Sequence, residues 1–309
     1  MSSQRTSGKR VNPRKIAHKF LLYFFASILL IWILLPFFYT LGSAFSPSSE
    51  IGKRPTPFWP VDPTLDNFKI VLGLPVQQQD CSAQGAGIDL CNTAEINISV
   101  QAILTTMWNS FYIGCLVVGI TLIFAIFSAF SLSRYRFAGA KFFQNFIILS
   151  RIVPGLVLIA PIFIVLRVTN LLNTSWALVI TYVSFTLPLA IIILKFYFDQ
   201  ISSELDEAAA IDGANRFQII FSIILPVAVP GLIATGVLVF LESWGEFFFS
   251  LVLTDSLTVP PLLAGFLSLQ TFSWTLLSAA TVIAVLPPIL LTMVFQKYLV
   301  SALAAGSGK

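Results

Sequence analysis

Six long apolar stretches are the feature that most limits what this 309-residue chain can fold into. A hydrocarbon core about 30 Å thick is crossed by roughly 20 helical residues, and each stretch reaches that length. Lipid offers the backbone no hydrogen-bond partners, so each stretch is predicted to be a helix. The expected spans are Phe20–Leu41, Phe111–Leu132, Phe142–Leu166, Trp176–Phe198, Val227–Leu253 and Leu276–Tyr298. The sequence therefore predicts an all-α integral membrane protein with six transmembrane helices.

Composition agrees with a lipid environment. Hydrophobic residues make up 57% of the chain and charged residues only 10%, whereas soluble domains carry about 25% charged residues. The first apolar stretch is too long for the core of a signal peptide, and no small-residue cleavage site precedes a plausible mature start. We therefore expect it to be retained as the first span.

The distribution of Lys and Arg predicts the orientation, because cytoplasmic segments carry the excess of positive charge. The first segment holds six basic residues and no acidic one: Arg5, Lys9, Arg10, Arg14, Lys15 and Lys19. Six crossings then place both termini in the cytoplasm, as tails over residues 1–18 and 301–309 that flank a membrane domain over 19–300. A long outer loop is expected over about 46–107. The positive charge does not indicate nucleic-acid binding, because no basic soluble domain is present to carry it.

The polar segment between the fourth and fifth stretches, residues 203–222, is predicted to be a helix in its own right. Ser203 can cap a helix whose first turn is acidic. Ala208, Ala209 and Ala210 favour helix strongly, and Gly213 can end it in the left-handed conformation. The sequence predicts a short cytoplasmic helix between helices 4 and 5.

The acidic character of this helix indicates what it contacts. Glu207 and Asp212 would pair with basic groups, whereas small alanines allow close approach. A helix that lies on lipid headgroups favours basic residues on its polar face, and this one is acidic. A partner protein is the favoured interpretation, with an interfacial helix as the alternative.

Three charged residues fall inside predicted spans: Arg151, Glu242 and Glu246. Each would cost about 2.5–3.5 kcal/mol at the bilayer centre, so they are expected to face protein or water. Glu242 and Glu246 share one helix face because they are four residues apart. One interpretation is that all three line a substrate pathway. The alternatives are an Arg151–Glu242 ion pair between helices, and a bond from Glu246 to a partner subunit.

The segment Glu207–Gly213 is followed after nine further residues by Ile223-Ile224-Leu225-Pro226. This spacing resembles the cytoplasmic E-A-A signature of the membrane subunits of ABC importers. Further matching strings are Trp59-Pro60, Pro63-Thr64-Leu65-Asp66-Asn67-Phe68, Asn109-Ser110, Arg134-Tyr135-Arg136-Phe137 with Gly139, Pro154, Trp244 with Glu246-Phe247, and Tyr298-Leu299-Val300. From about Ser46 onward the chain resembles carbohydrate-type ABC importer permeases, most closely the second permease subunit of the maltose transporter group.

The resemblance implies a permease for a sugar or small oligosaccharide in a bacterial plasma (inner) membrane. It implies half of a heterodimeric pore, two ATPase subunits and an extracellular or periplasmic binding protein. The chain is then no enzyme and holds no cofactor, with ATP and Mg on the partner ATPase. The implied ATPase-coupling residues are Glu207, Ala208, Ala209, Ala210, Asp212 and Gly213.

Two outer features have weaker signals. The segment after the fifth span, with Val259, Pro260 and Gln270, is a candidate contact surface for the binding protein or a simple connecting loop. Cys81 and Cys91 lie ten residues apart in the outer loop, where an oxidising compartment would permit a disulfide. A metal site is not expected, because the chain has a single histidine.

Two other functions remain open at this point. An ABC permease for glycerol phosphate or a related polyol phosphate would use Arg151 to bind the anion. An ion-coupled secondary transporter would use Arg151, Glu242 and Glu246 as a proton relay. Such transporters usually show paired repeats, none of which is visible, and the E-A-A segment would then have no explanation.

Overall fold

A computed structural model describes residues 13–51, 57–74, 102–256, 258–268 and 274–307. Over these residues the chain is helical, and no strand occurs in them. The all-α prediction is therefore confirmed for the described part of the chain.

The helices, in chain order, are α1 (Pro13–Phe45), α2 (Ser48–Ile51), α3 (Asp66–Val71), α4 (Ala102–Arg134), α5 (Ala140–Ser150), α6 (Gly155–Val168), α7 (Ser175–Asp199), α8 (Ser203–Ile211), α9 (Arg216–Gln218), α10 (Leu225–Trp244), α11 (Phe248–Leu253), α12 (Val259–Ser268) and α13 (Trp274–Ser307). A π-helical turn, Ile219–Ile224, joins α9 to α10 without a break. Within the described residues, five helical segments are long and apolar enough to cross a membrane, and the bent pair α5–α6 makes six if it counts as one span.

The third predicted span is wrong as a single helix. The chain leaves α5 after Ser150 and restarts as α6 at Gly155, with a 99° bend between the two axes. Pro154 precedes the first residue of α6 and has an extended backbone, with φ −62° and ψ 127°. Because proline has no N–H and its ring blocks helix on its N-terminal side, it starts a new helix instead of kinking the old one.

The fifth predicted span ends too late. The helix that runs from Arg216 through the π-helical turn stops at Trp244, and α11 begins as a separate helix at Phe248. Of the residues between the two helices, Glu246 lines a polar cavity that the apolar composition of the region conceals.

The core lies between α4, α7 and α10. Val117 and Thr121 of α4, Leu194 and Phe198 of α7, and Val239 of α10 are fully buried there. By contrast, the apolar stretch of α1 from residue 19 onward has no buried residue in its most hydrophobic window. The helices α4, α7 and α10 are thus packed against one another, whereas α1 presents its apolar surface outward.

Candidate functional site

The E-A-A segment forms a capped helix close to where the sequence predicts it. The side chain of Ser202 accepts a hydrogen bond from the N–H of Glu204 at 3.3 Å, so α8 is capped one residue earlier than predicted at Ser203. Gly213 has φ +87°, and the N–H of Ala214 then donates to the carbonyl oxygen of Ala209 at 2.9 Å. The predicted left-handed glycine stop is confirmed.

A second cap restarts the chain immediately. The side chain of Asn215 accepts from the N–H of Gln218 at 3.0 Å, and the Gln218 side chain accepts in return from the N–H of Asn215 at 2.7 Å. This reciprocal capping box satisfies two donors at the start of α9. The turn between α8 and α9 is therefore fixed by local hydrogen bonds.

One face of α8 is open and the other is packed. Ile211 is 86% exposed, whereas Asp206 and Ala209 are buried. Of the predicted coupling residues, only Ala209 points inward; the exposed ones are Glu207, Ala208, Ala210, Asp212 and Gly213. The open face is therefore acidic with small and apolar positions, which suits contact with a partner protein.

The packed face of α8 is held by the end of α4. Arg134 Nε forms an ion pair with Asp206 Oδ2 at 2.5 Å, and Arg134 Nη2 donates to the carbonyl oxygen of Ile201 at 3.0 Å. No pattern in the sequence predicted this pair. The only signals were an arginine at the last position of a long apolar helix and an acidic residue in the first turn of α8.

The three membrane charges meet in a second site, between the α5–α6 bend and the helices α7 and α10. Arg151 Nη2 donates to Glu242 Oε1 at 2.9 Å, and Arg151 Nη1 donates to the carbonyl oxygen of Phe185 at 3.0 Å. The predicted ion pair between helices is therefore formed. Both side chains remain about one third exposed in the isolated chain, 37% for Arg151 and 36% for Glu242.

Glu246 has a different set of partners. The Tyr182 hydroxyl donates to its Oε2 at 2.8 Å, and the N–H groups of Phe249 and Ser250 donate to the same carboxylate at 3.0–3.2 Å. The carboxylate therefore starts α11 and ties it to α7. These hydrogen bonds lie within the chain; the bond from Glu246 to a partner subunit stays a prediction.

The two carboxylates and the arginine line one cavity of about 240 Å³. The rings of Phe185 and Phe249 lie against each other in its wall, with centroids 4.9 Å apart and planes tilted by 33°. Its lining residues are Arg151, Tyr182, Phe185, Thr186, Glu242, Ser243, Glu246 and Phe249. Tyr182, Thr186 and Ser243 were not predicted, because isolated hydroxyl groups in an apolar helix give no distinctive pattern. The cavity combines aromatic faces with hydrogen-bonding groups, a combination suited to binding hydroxylated ligands.

The remaining predicted positions divide between described and undescribed residues. Val259 is only 2% exposed, and its N–H donates to Ser110 Oγ at 2.9 Å; Pro260 is half-buried. Burial of Val259 fits an internal anchor of α12 better than a direct contact surface. The last three predicted positions, Gln270, Cys81 and Cys91, lie outside the described residues.

Residues 96–304 match the family described as binding-protein-dependent transport system inner membrane component. The chain belongs to this family. One relative is the trehalose/maltose transport system permease protein MalG of Thermococcus litoralis. It is 37% identical over 65% of this chain and 74% of the relative. The sulfoquinovosyl glycerol transport system permease protein SmoH of Agrobacterium fabrum is 28% identical over 92% of each chain. A probable ABC transporter permease protein of Bacillus subtilis, YurM, is 34% identical over 68% of this chain and 71% of the relative.

Solved structures of ABC transporters share the fold of this inner membrane component. A chain of a bacterial ABC transporter involved in the import of the acidic polysaccharide alginate aligns with a TM-score of 0.68 and 24% identity, over 96% of this chain and 99% of that one. A chain of the MetNI methionine ABC transporter aligns with a TM-score of 0.54 and 17% identity, over 68% of this chain and 98% of that one. The family and the helical fold establish a multi-pass inner membrane permease.

Proposed function

We propose that this inner membrane component is a permease subunit of an ATP-driven ABC importer for a sugar or small oligosaccharide. Its relatives include permeases named for trehalose/maltose and for sulfoquinovosyl glycerol transport. A second, similar permease completes the pore, and an extracellular or periplasmic binding protein delivers the cargo. This chain supplies no catalytic group; ATP and Mg bind on separate ATPase subunits.

The observation that carries the coupling part of the proposal is the open acidic face of α8. The exposed carboxylates of Glu207 and Asp212 flank small side chains, so a partner surface with basic groups can approach the backbone closely. Local caps at Ser202 and Asn215 hold the segment rigid. A rigid helix with an unoccupied face can be pushed as a unit when the docked ATPases close.

The Arg151–Glu242 site is the proposed part of the cargo pathway on this chain. A partly exposed ion pair within apolar helices is unfavourable against lipid, so this surface faces the pore or the partner permease. Hydroxyl groups of a sugar can bind the carboxylate and guanidinium, and the adjacent rings of Phe185 and Phe249 offer an apolar surface. The site is therefore chemically matched to a polar, ring-shaped cargo.

The geometry favours a sugar over a polyol phosphate. The guanidinium of Arg151 is already neutralised by Glu242 at 2.9 Å, and Glu246 adds a further carboxylate to the cavity wall. A phosphate would meet more negative than positive charge among these lining residues, which opposes anion binding. A proton-relay function for the same residues is not proposed, because the family works through a separate binding protein.

Co-purification with the cognate ATPase tests the coupling proposal. The native chain is expected to retain the ATPase, whereas Glu207→Ala and Gly213→Asp are expected to weaken its retention. Gly139→Asp is the matched control. Like Gly213, Gly139 has a positive φ, +95°, and open space where a side chain would be added, but it lies outside α8. Equal retention of the ATPase by all four proteins would contradict docking on α8.

Uptake by the reconstituted complex tests the cargo class. The vesicles contain ATP, and the binding protein is added outside. Uptake of labelled trehalose or maltose is expected to fall when an unlabelled neutral disaccharide is added, and to stay unchanged when glycerol 3-phosphate is added. Uptake driven by a proton gradient without ATP would overturn the importer assignment.

A further inference from the structure

Only two residues of α8 are buried, Asp206 and Ala209. The methyl group of an alanine makes only a small van der Waals contact, whereas Arg134 Nε and Asp206 Oδ2 lie close enough for a strong charge–charge attraction. Arg134 and Asp206 are 12% and 10% exposed, so water screens their attraction weakly. The main polar attachment of the inner face of α8 is therefore the ion pair to the end of α4.

Arg134 also fixes the turn that leads into α8. Its Nη2 donates to the carbonyl oxygen of Ile201, so one guanidinium holds both the connection before α8 and the first turn of α8. The adjacent Ser133 Oγ donates to Asp199 Oδ1 at 2.7 Å, at the end of α7. The last turn of α4 thus joins α7, the connecting turn and α8 at one point.

The other side of the E-A-A segment rests on α4 through looser contacts. The ring of Phe127 lies 6.2 Å from that of Phe217 and 6.3 Å from that of Phe221. The guanidinium of Arg216 lies 5.6 Å from the ring centre of Tyr135. Ring contacts at these distances permit rotation, so they guide the segment without fixing its angle.

The same helix reaches the cavity. Thr121 of α4 and Thr186 of α7 share a hydrogen bond at 3.0 Å, and both are buried. Thr186 lines the cavity with Arg151 and Glu242. Thr121 and Arg134 are separated by about 20 Å along a continuous helix at 1.5 Å per residue. Movement of the end of α4 is therefore carried to the cavity by one rigid element.

We propose that Arg134 and Asp206 form the positioning pair that transmits displacement of α8 to α4 and so to the cargo cavity. The inference rests on the proposed docking of ATPases to α8. It separates two roles within the segment: the exposed face binds the partner, and the buried Asp206 passes the movement on. Loss of the pair leaves the partner bound and the pore unresponsive.

The test uses the full complex with its second permease and ATPases, in native form and with Asp206→Asn or Arg134→Gln. Retention of the ATPase is expected to stay close to native in both variants, because neither residue lies on the open face. ATP-driven uptake of labelled trehalose, or of the cargo found in the competition assay above, is expected to fall roughly tenfold, within the usual range of coupling between distant sites.

A cargo-independent readout accompanies uptake. Spin labels at Leu104→Cys and Val168→Cys, both exposed, report the distance between α4 and α6 in a background without native cysteines. ATP with vanadate is expected to shift this distance in the native complex and to leave it unchanged in the two variants. Lys69→Gln is the matched control, since it removes an ion pair that lies within α3 alone.

The exchanged pair Arg134→Asp with Asp206→Arg separates transmission from folding. Restoration of the ATP-driven distance change by the exchange is expected, and Arg134→Lys is expected to restore part of it. Native transport in the single variants would overturn the proposal, as would an assembled exchange variant that stays unresponsive. Failure of the native chain to hold the ATPase would instead overturn the docking on which the proposal rests.

Discussion

Among the residues that the structure describes, two arginine–carboxylate pairs join helical segments, and their surroundings differ. The Arg134–Asp206 pair is closed, with side chains 12% and 10% exposed. The Arg151–Glu242 pair is open to a cavity, with side chains 37% and 36% exposed. A closed pair keeps its geometry because both side chains are shielded from water and the guanidinium of Arg134 is also held by the carbonyl oxygen of Ile201. An open pair can exchange its partner for a ligand, so the first suits transmission and the second suits binding.

The largest expected effect tests directly whether the two ion pairs contribute differently to stability. Arg134→Ala leaves Asp206 as an uncompensated buried charge, and loss of one member of a buried pair costs about 3–5 kcal/mol. Arg151→Ala is expected to cost about 0–1 kcal/mol in the isolated chain, as for exposed pairs. Unfolding midpoints of the purified chain in detergent measure both. Equal losses would show that the exposure difference has no energetic meaning.

A packing prediction tests whether the region around the closed pair is rigid. A Cβ at Gly231 of α10 would lie 2.4 Å from Cγ of Tyr197 on α7, whereas one at Gly236 would meet only ordinary contacts at 3.5 Å. Overpacking of this kind costs about 1–3 kcal/mol. Gly231→Ala is therefore expected to lower the unfolding midpoint, with Gly236→Ala as the near-neutral control. A neutral Gly231→Ala would show that α7 and α10 separate easily.

The carboxylate of Glu246 both lines the open cavity and caps the start of α11. Glu246→Gln removes the negative charge that accepts from the N–H groups of Phe249 and Ser250. Loss of a helix cap costs about 0.5–2 kcal/mol. Faster hydrogen exchange at these two amides is expected, with Glu242→Gln as the control that leaves them unchanged. Protected amides in Glu246→Gln would mean that α11 starts without this carboxylate.

The smallest expected effect comes from an exposed ion pair in α3. Its contribution to stability can be compared with those of the Arg134–Asp206 and Arg151–Glu242 pairs. Lys69 donates a hydrogen bond to Asp66, and this bond, followed by one from Thr64, lowers the pKa of the Asp66 carboxyl. A lowered folded-state pKa stabilises the protein above the usual aspartate pKa and stops doing so as pH falls through the lowered value.

Lys69→Met is therefore expected to cost about 0.2–1 kcal/mol at neutral pH, as for surface pairs. The difference from native should vanish once Asp66 is protonated. Unfolding at neutral and strongly acidic pH measures this, with Thr64→Val as a control that removes the second hydrogen bond. A loss that persists in acid would point to packing of the lysine stem instead.

Local signals predicted much of the fold, most of the α8 segment and three of the eight residues that line the cavity. Apolar length predicted the spans, and the alanine run with Gly213 predicted α8, because caps and helix propensity act between near neighbours. Residues 142–166 were predicted to form one span, whereas the structure bends by 99° before Gly155. Apolar composition alone cannot show whether Pro154 kinks a helix or starts another, since both keep the segment hydrophobic.

The sequence by itself determined a helical membrane chain with six apolar stretches. It also determined a capped acidic helix between the fourth and fifth stretches, and membrane charges that need partners. Only the tertiary structure decided which partners these are. Arg151 and Glu242 lie 91 positions apart in the chain, and Arg134 meets Asp206 only because α4 and α7 end at the same level. Pairing across such separations depends on how whole helices pack, and no local pattern of residues records it.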